Sequence, residues 1–206
     1  IADMQWWEIY TDTTLQSLIE KTLDNNKDMK IAAARGKELA AIKRIDFANL
    51  FPQLNGSAYA QKEGSNYGGD NYKNDPEQGG KLTVTWELDL WGNLRWAKDK
   101  SIAQFLGSIE AQRALKMSIV SEVAQAYFEL VALDNELNIV RQTLYARKEG
   151  VRLAKLRFEG GLTSETSYQQ AQVEYARTAT LVPELERKIS LKENDIAFLA
   201  GEYPHR

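Results

Sequence analysis

The 206-residue chain has no cysteine, one histidine and four prolines. Without cysteine there are no disulfides, thiolate metal sites or cysteine nucleophiles, and the redox compartment cannot be read from them. The histidine, His205, sits in the C-terminal tail, where order is rare. No run of 18 or more apolar residues occurs, which excludes a transmembrane helix. It does not exclude a β-barrel, whose strands are apolar only at every second position. Lysine and arginine number 26 against 29 aspartates and glutamates, a net charge of −3. That balance supplies no basic footprint for nucleic acid. The chain opens at Ile1-Ala2-Asp3 without a basic and apolar leader, so an exported protein would already have lost its signal.

Chemistry is equally sparse. Glu87 and Asp89 form a carboxylate pair at strand spacing, but nothing converges on them as a catalytic dyad requires. The turn Gly160-Gly161-Leu162-Thr163-Ser164 lacks the lysine of a phosphate loop. Asp70, Asn71, Asn74, Asp75 and Glu77 do not have the spacing of a calcium loop. Asn55-Gly56-Ser57 fits a glycosylation sequon, a frequent match. No catalytic, cofactor-binding or metal-binding set is expected.

What is present is periodicity. Residues 81–91 alternate, with Leu82, Val84, Trp86, Leu88 and Leu90 on one side and Thr83, Thr85, Glu87 and Asp89 on the other. A strand of about 10 residues matches a tilted membrane strand, and Trp86 and Trp91 fit an interfacial belt. Residues 51–63 carry a weaker alternation after the Phe51-Pro52 stop. Residues 64–80 read as a polar loop, so strand, loop and strand predict a hairpin.

Helical patterns flank it. Thr13, with Gln16, reads as an N-cap before Leu15, Leu18, Ile19, Thr22 and Leu23. Asp28 reads as the cap of a helix over 29–49 carrying Met29, Ala32, Ala33, Leu39, Ile42 and Ile45. From 93 to 158 proline is absent, and Leu106, Ile109, Val120, Val123, Tyr127, Leu130, Leu137 and Leu144 recur at helical steps. A helix of roughly 65 residues would be about 100 Å long. After the glycine turn, a helix over 164–200 repeats at Tyr168, Ala171, Tyr175, Thr178, Val182, Leu185, Ile189, Lys192, Ile196 and Leu199. This 3.5-residue period is that of a left-handed coiled coil. Pro183 removes the hydrogen bond to the carbonyl of Ala179 and predicts a kink.

Several ordered blocks resemble a known family. They are Trp6-Trp7, Asn26-Lys27-Asp28-Met29, Leu50-Phe51-Pro52, Trp86-Glu87-Leu88-Asp89-Leu90-Trp91-Gly92, Val123-Ala124-Gln125-Ala126-Tyr127, Arg157-Phe158-Glu159-Gly160-Gly161-Leu162-Thr163-Ser164 and Leu199-Ala200-Gly201. Together they resemble the TolC/OprM-like outer-membrane factors, most nearly the OprM branch. The resemblance implies a mainly α fold with a β-hairpin: long antiparallel coiled-coil helices of an α-barrel joined to strands of a transmembrane β-barrel. It implies N-terminal tunnel helices in 1–50, the membrane hairpin in 51–92 and a periplasmic helical hairpin in 93–206. The chain resembles only the first of that family's two repeats, and the lipidated N-terminal cysteine usual in the branch is missing.

The resemblance further implies an outer-membrane channel of a tripartite efflux or type I secretion system, not an enzyme and without cofactor. The expected partners are two further copies in a homotrimer, a periplasmic adaptor, an inner-membrane pump and outer-membrane lipid. Arg157, Phe158, Gly161, Leu162, Thr163 and Ser164 would form the adaptor-docking tip, with Thr166 and Ser167 near the tunnel mouth. Leu82, Val84, Trp86 and Leu88 would face lipid, and Thr83, Thr85, Glu87 and Asp89 the lumen. The competing expectation is a periplasmic adaptor or coiled-coil scaffold, for which residues 93–200 alone would suffice. The transported compound is not legible, because a wide passive duct has no dedicated pocket.

Overall fold

The computed structural model describes residues 5–66 and 72–203, with the backbone alone for 63–66 and 72–75. His205, Asp70 and Asn71 lie outside the described residues. The order is α1 (Trp6–Ile9), α2 (Thr13–Asn25), α3 (Lys27–Ala48), β1 (Gln53–Asn66), β2 (Tyr72–Thr85), α4 (Asn93–Glu159), α5 (Glu165–Ala179) and α6 (Leu181–Leu199). The chain forms two compact units, one of Ile1–Ile31 with Gln112–Arg206 and one of Ala32–Ala111.

The first unit has its core where α2 meets the middle of α4. Leu15 and Ile19 are fully buried against Ile119, Val120, Val123 and Ala124, with Trp6, Tyr10, Met29, Tyr127 and Leu199 packed around them. All five apolar positions expected on α2 are at least partly buried. The expected cap is corrected, however. Asp12, not Thr13, precedes the helix, and its Oδ1 accepts from the backbone N–H of Thr14 (2.8 Å) and Leu15 (3.3 Å). Gln16 instead donates to the carbonyls of Trp7 and Tyr10, tying α1 to α2. The other Asp12 oxygen accepts from the Tyr127 hydroxyl of α4 at 2.8 Å. That bond, then the two backbone donors, hold the Asp12 carboxyl below its ordinary range, and the same bond, with desolvation and the Asp12 charge, pushes the Tyr127 phenol up.

The cap of α3 is also corrected. Asn26, not Asp28, offers Oδ1 to the N–H groups of Asp28 (2.9 Å) and Met29 (3.1 Å). Its Nδ2 donates to the carbonyl of Leu199 at 2.9 Å, in the last turn of α6. Gly201 then ends α6 in the left-handed conformation (φ 70°), with Glu202 N–H bonding Ala197 O and Gly201 N–H bonding Phe198 O. This is a Schellman closure. A side chain at Gly201 would place Cβ 2.6 Å from the Asn25 carbonyl oxygen.

Along α5 and α6, every residue of the predicted 3.5-residue seam is buried or partly buried, with Thr178 and Leu185 the deepest. The expected single helix over 164–200 is interrupted at Thr180, three residues before Pro183, which lacks the N–H that Ala179 would need. On α4, Ile109, Val120, Val123, Tyr127, Leu130, Leu137 and Leu144 are inward as expected, but Leu106 is exposed. α4 runs antiparallel to the returning pair, as the ion pairs Glu129–Lys192, Arg141–Glu186 and Arg147–Glu174 record.

The second unit contains the two-stranded antiparallel sheet. Its register pairs Gln53 with Thr85, Tyr59 with Gly79 and Asn66 with Tyr72. Two expectations fail here. Much of the polar loop expected at 64–80 is strand, and the strand expected at 81–91 ends at Thr85. Glycine and proline suggested a loop, but the cross-strand ladder prevails. The Tyr59 ring lies over Gly79, where an added Cβ would come within 2.6 Å of it. An aromatic covering a cross-strand glycine restores the packing that glycine lacks.

Candidate membrane hairpin and helical tip

Because opposed residues in an antiparallel pair share a face, the register sorts the hairpin into two surfaces. One carries Leu54, Val84, Leu82, Gly56, Ala58, Gly80 and Ala60, and turns polar towards the hairpin end at Gln78 and Lys62. Its large residues are open: Leu82 is 79% exposed and Leu54 69%. The other carries Gln53, Thr85, Asn55, Thr83, Ser57, Lys81, Tyr59, Gln61 and Glu77. There the Glu77 carboxylate accepts from Tyr59 Oη (3.0 Å) and Gln61 Nε2 (2.8 Å). Glu77, weighed above as a calcium ligand, is thereby a strand residue with local partners. An exposed apolar sheet face backed by a hydrogen-bonded polar one is unsuited to water on both sides.

Of the eight strand-face candidates, Leu82, Val84, Thr83 and Thr85 lie in β2. Trp86, Glu87, Leu88 and Asp89 follow it as irregular chain. Trp86 Nε1 donates to the Leu50 carbonyl at 3.2 Å, joining the two ends of the hairpin. Asp89 has a structural duty that sequence spacing hid. Its Oδ1 accepts from Leu94 N–H (3.2 Å), and its Oδ2 from Arg95 N–H (2.9 Å) and Arg95 Nε (3.2 Å). Gly92 (φ 80°) folds the chain so that this carboxylate reaches the start of α4. Trp91 and Trp96 are exposed beside it.

At the far end of α4, the expected tip residues are brought together by a second Schellman closure. Leu162 N–H bonds Arg157 O (2.8 Å), and Gly161 N–H bonds Phe158 O (2.9 Å), with Gly161 at φ 72°. The bonds require the left-handed residue and leave Leu162 78% exposed at the apex. Phe158 stacks on Tyr168 of α5 with ring planes 8° apart, a contact the spacing did not reveal. Thr163 Oγ1 is enclosed and has no hydrogen-bond partner among the described residues. Ser164 precedes α5 without a side-chain cap bond, and its hydroxyl lies 3.4 Å from that of Ser167. Thr166 lines a shallow hollow with Gln169, Gln170, Val173 and Glu174.

Among the described residues no group of three or more histidine, cysteine or acidic side chains could hold a metal ion. Among the described residues no helix is long and apolar enough to cross a membrane.

Residues 18–202 match the outer membrane efflux protein family. The chain belongs to that family. It is similar to the cation efflux system protein CusC of Escherichia coli O157:H7, at 27% identity over 202 residues, covering 96% of this chain and 43% of CusC. It is 30% identical over 210 residues to the outer membrane protein OprJ of Pseudomonas aeruginosa, covering 98% of this chain and 43% of OprJ. Among solved structures, the CmeC outer membrane channel of Campylobacter jejuni superposes with a TM-score of 0.83 at 25% identity, covering 96% of this chain and 43% of that one. The chain thus spans less than half the length of these relatives. The mainly helical architecture with one antiparallel strand pair is the outer-membrane-factor fold expected from the sequence.

Proposed function

We propose that this chain supplies one repeat of a passive export duct: a hairpin of an outer-membrane β-barrel and the helical hairpin of the tunnel below it. The duct assembles as a homotrimer and works with a periplasmic adaptor and an inner-membrane pump. It has no enzymatic step and needs no cofactor. The observation that carries this reading is the two-faced sheet, apolar on the Leu54, Leu82 and Val84 side and polar on the Thr83, Thr85 and Lys81 side. A barrel wall between hydrocarbon and water needs that asymmetry; a periplasmic adaptor or scaffold does not. Trp86, Glu87 and Leu88, beyond the strand, mark the interface, and Asp89 lies on the helix side of it. The division into tunnel helices (1–50), membrane hairpin (51–92) and periplasmic hairpin (93–206) belongs to this reading.

The tip docks the adaptor. Leu162 supplies an apolar knob, Arg157 and Phe158 flank it, Gly161 holds the turn, Thr163 lies beneath the apex, and Ser164 offers a hydrogen bond. Thr166 and Ser167 sit at the tunnel mouth. CusC is named for cation efflux; on this reading the substrate is set by the pump.

Leu82→Arg places a cation in hydrocarbon, at about 2–4 kcal/mol near the bilayer midplane. The variant should leave the carbonate-resistant outer-membrane fraction. Thr83→Arg, one residue away on the opposite face, should insert normally and alter single-channel conductance. Equal insertion of both variants would refute the membrane assignment. Leu162→Asp should insert normally yet lose cross-linking to the adaptor.

A further inference from the structure

Within the unit Ala32–Ala111, α3 and α4 leave an open groove of about 440 Å³ near the strands. Its floor is Phe47, Ile102, Phe105 and Leu106, and its rim is Lys43, Arg44 and Lys98. No carboxylate lines it. Lys43 Nζ lies 4.4 Å from the centroid of the Phe105 ring. Lys98 Nζ shares one contact with Asp99 at 3.0 Å, and no ion pair of Arg44 occurs among the described residues. Phe47 is in the last turn of α3 and Lys98 in the second turn of α4, so the groove adjoins the ends from which the chain enters and leaves the sheet. Beyond those ends stand exposed Phe51, Trp86, Trp91 and Trp96, followed by the apolar strand face.

Exposed aromatic side chains thus stand between the strands and the groove, and three cations rim the groove itself. A hydrocarbon-lined slot with a cationic rim at a membrane boundary suits a ligand with an acyl chain on one side and a phosphate on the other. From this juxtaposition we infer that the groove binds an anionic phospholipid of the phosphatidylglycerol type, taken from the leaflet that faces the helices. Its phosphate rests among Lys43, Arg44 and Lys98, and its acyl chain lies along Phe47, Ile102 and Leu106. A zwitterionic lipid fits the floor but carries no net charge for the rim. The inference rests on the membrane reading above.

The test uses the intact protein in lipid nanodiscs, with a bimane label on A103C, exposed and outside the lining; no cysteine in this sequence competes for the label. Brominated phosphatidylglycerol should quench the label at mole fractions at least fivefold lower than brominated phosphatidylcholine. The R44E/K98E variant should lose that at least fivefold preference through its two reversed charges, while inserting and keeping its helix content. K37E, outside the lining, should retain it. Equal quenching by the two lipids, or preference surviving charge reversal, overturns the headgroup site. No quenching by either lipid in an inserted protein means that protein covers the groove, and also overturns it. Failure to insert at all refutes the membrane reading, and this site with it.

Discussion

Replacing Asn26 with alanine tests whether one side chain joins the two ends of the first unit. Asn26 is 4% exposed, and its amide makes three bonds. Its oxygen caps α3, and loss of an N-cap costs about 1 kcal/mol. Its nitrogen satisfies the Leu199 carbonyl, a group at a helix end with no onward turn to bond it. Leaving such an acceptor unpaired in a buried setting costs about 1–3 kcal/mol. Asn26→Ala should therefore destabilise the first unit by about 2–4 kcal/mol, read as a lower urea midpoint of the helical signal at 222 nm. Asn26→Asp separates the contributions: it keeps the cap but removes the donor and sets a carboxylate oxygen against the Leu199 carbonyl. It should cost about 1–3 kcal/mol, most of it from the lost donor. If Asn26→Ala moves stability by less than about 0.5 kcal/mol, water replaces the amide at both sites and the joint is not a stability determinant.

Gly201→Ala demands a left-handed φ and drives Cβ onto the Asn25 carbonyl, so it should lower the same midpoint by about 1–3 kcal/mol. Asp12 has a depressed pKa, so its contribution is full above its unfolded value near 3.8 and is lost as pH falls through the folded one. The stability gap between the native chain and Asp12→Asn should accordingly be open at neutral pH and close on acidification. A gap that persists at low pH would rule out the carboxylate as its source. Lys192, in the seam but bonded to the well-exposed Glu129 and Asp195, should tolerate methionine with a change below about 1 kcal/mol. Lys192→Glu would crowd three carboxylates, and its larger loss should shrink as salt is added.

Periodicity was legible because it is a property of many residues at once. The seam from Tyr168 to Leu199, the α2 face and the length of α4 all follow from spacing, and no single exception displaces them. The alternation around Leu82 and Val84 likewise revealed the hairpin, though not its limits. Tyr72–Gly80 reads locally as loop, and only pairing with 58–66, including the Tyr59 ring over Gly79, makes it strand. The tip glycines were recognisable as a turn, whereas the Phe158–Tyr168 stack depends on how two helices meet.

The sequence alone determined which residues share a face, because helical and strand repeats are imposed by backbone geometry. It also determined the likeness to the outer membrane efflux proteins. Tertiary structure decided what individual polar groups do. Asp12 rather than Thr13, and Asn26 rather than Asp28, became caps because Tyr127 and Leu199 stand beside them. Asp89 holds the start of α4, since Gly92 turns the chain back towards it. Such roles depend on partners distant in sequence or on a turn's exact path, and neither leaves a repeating trace along the chain.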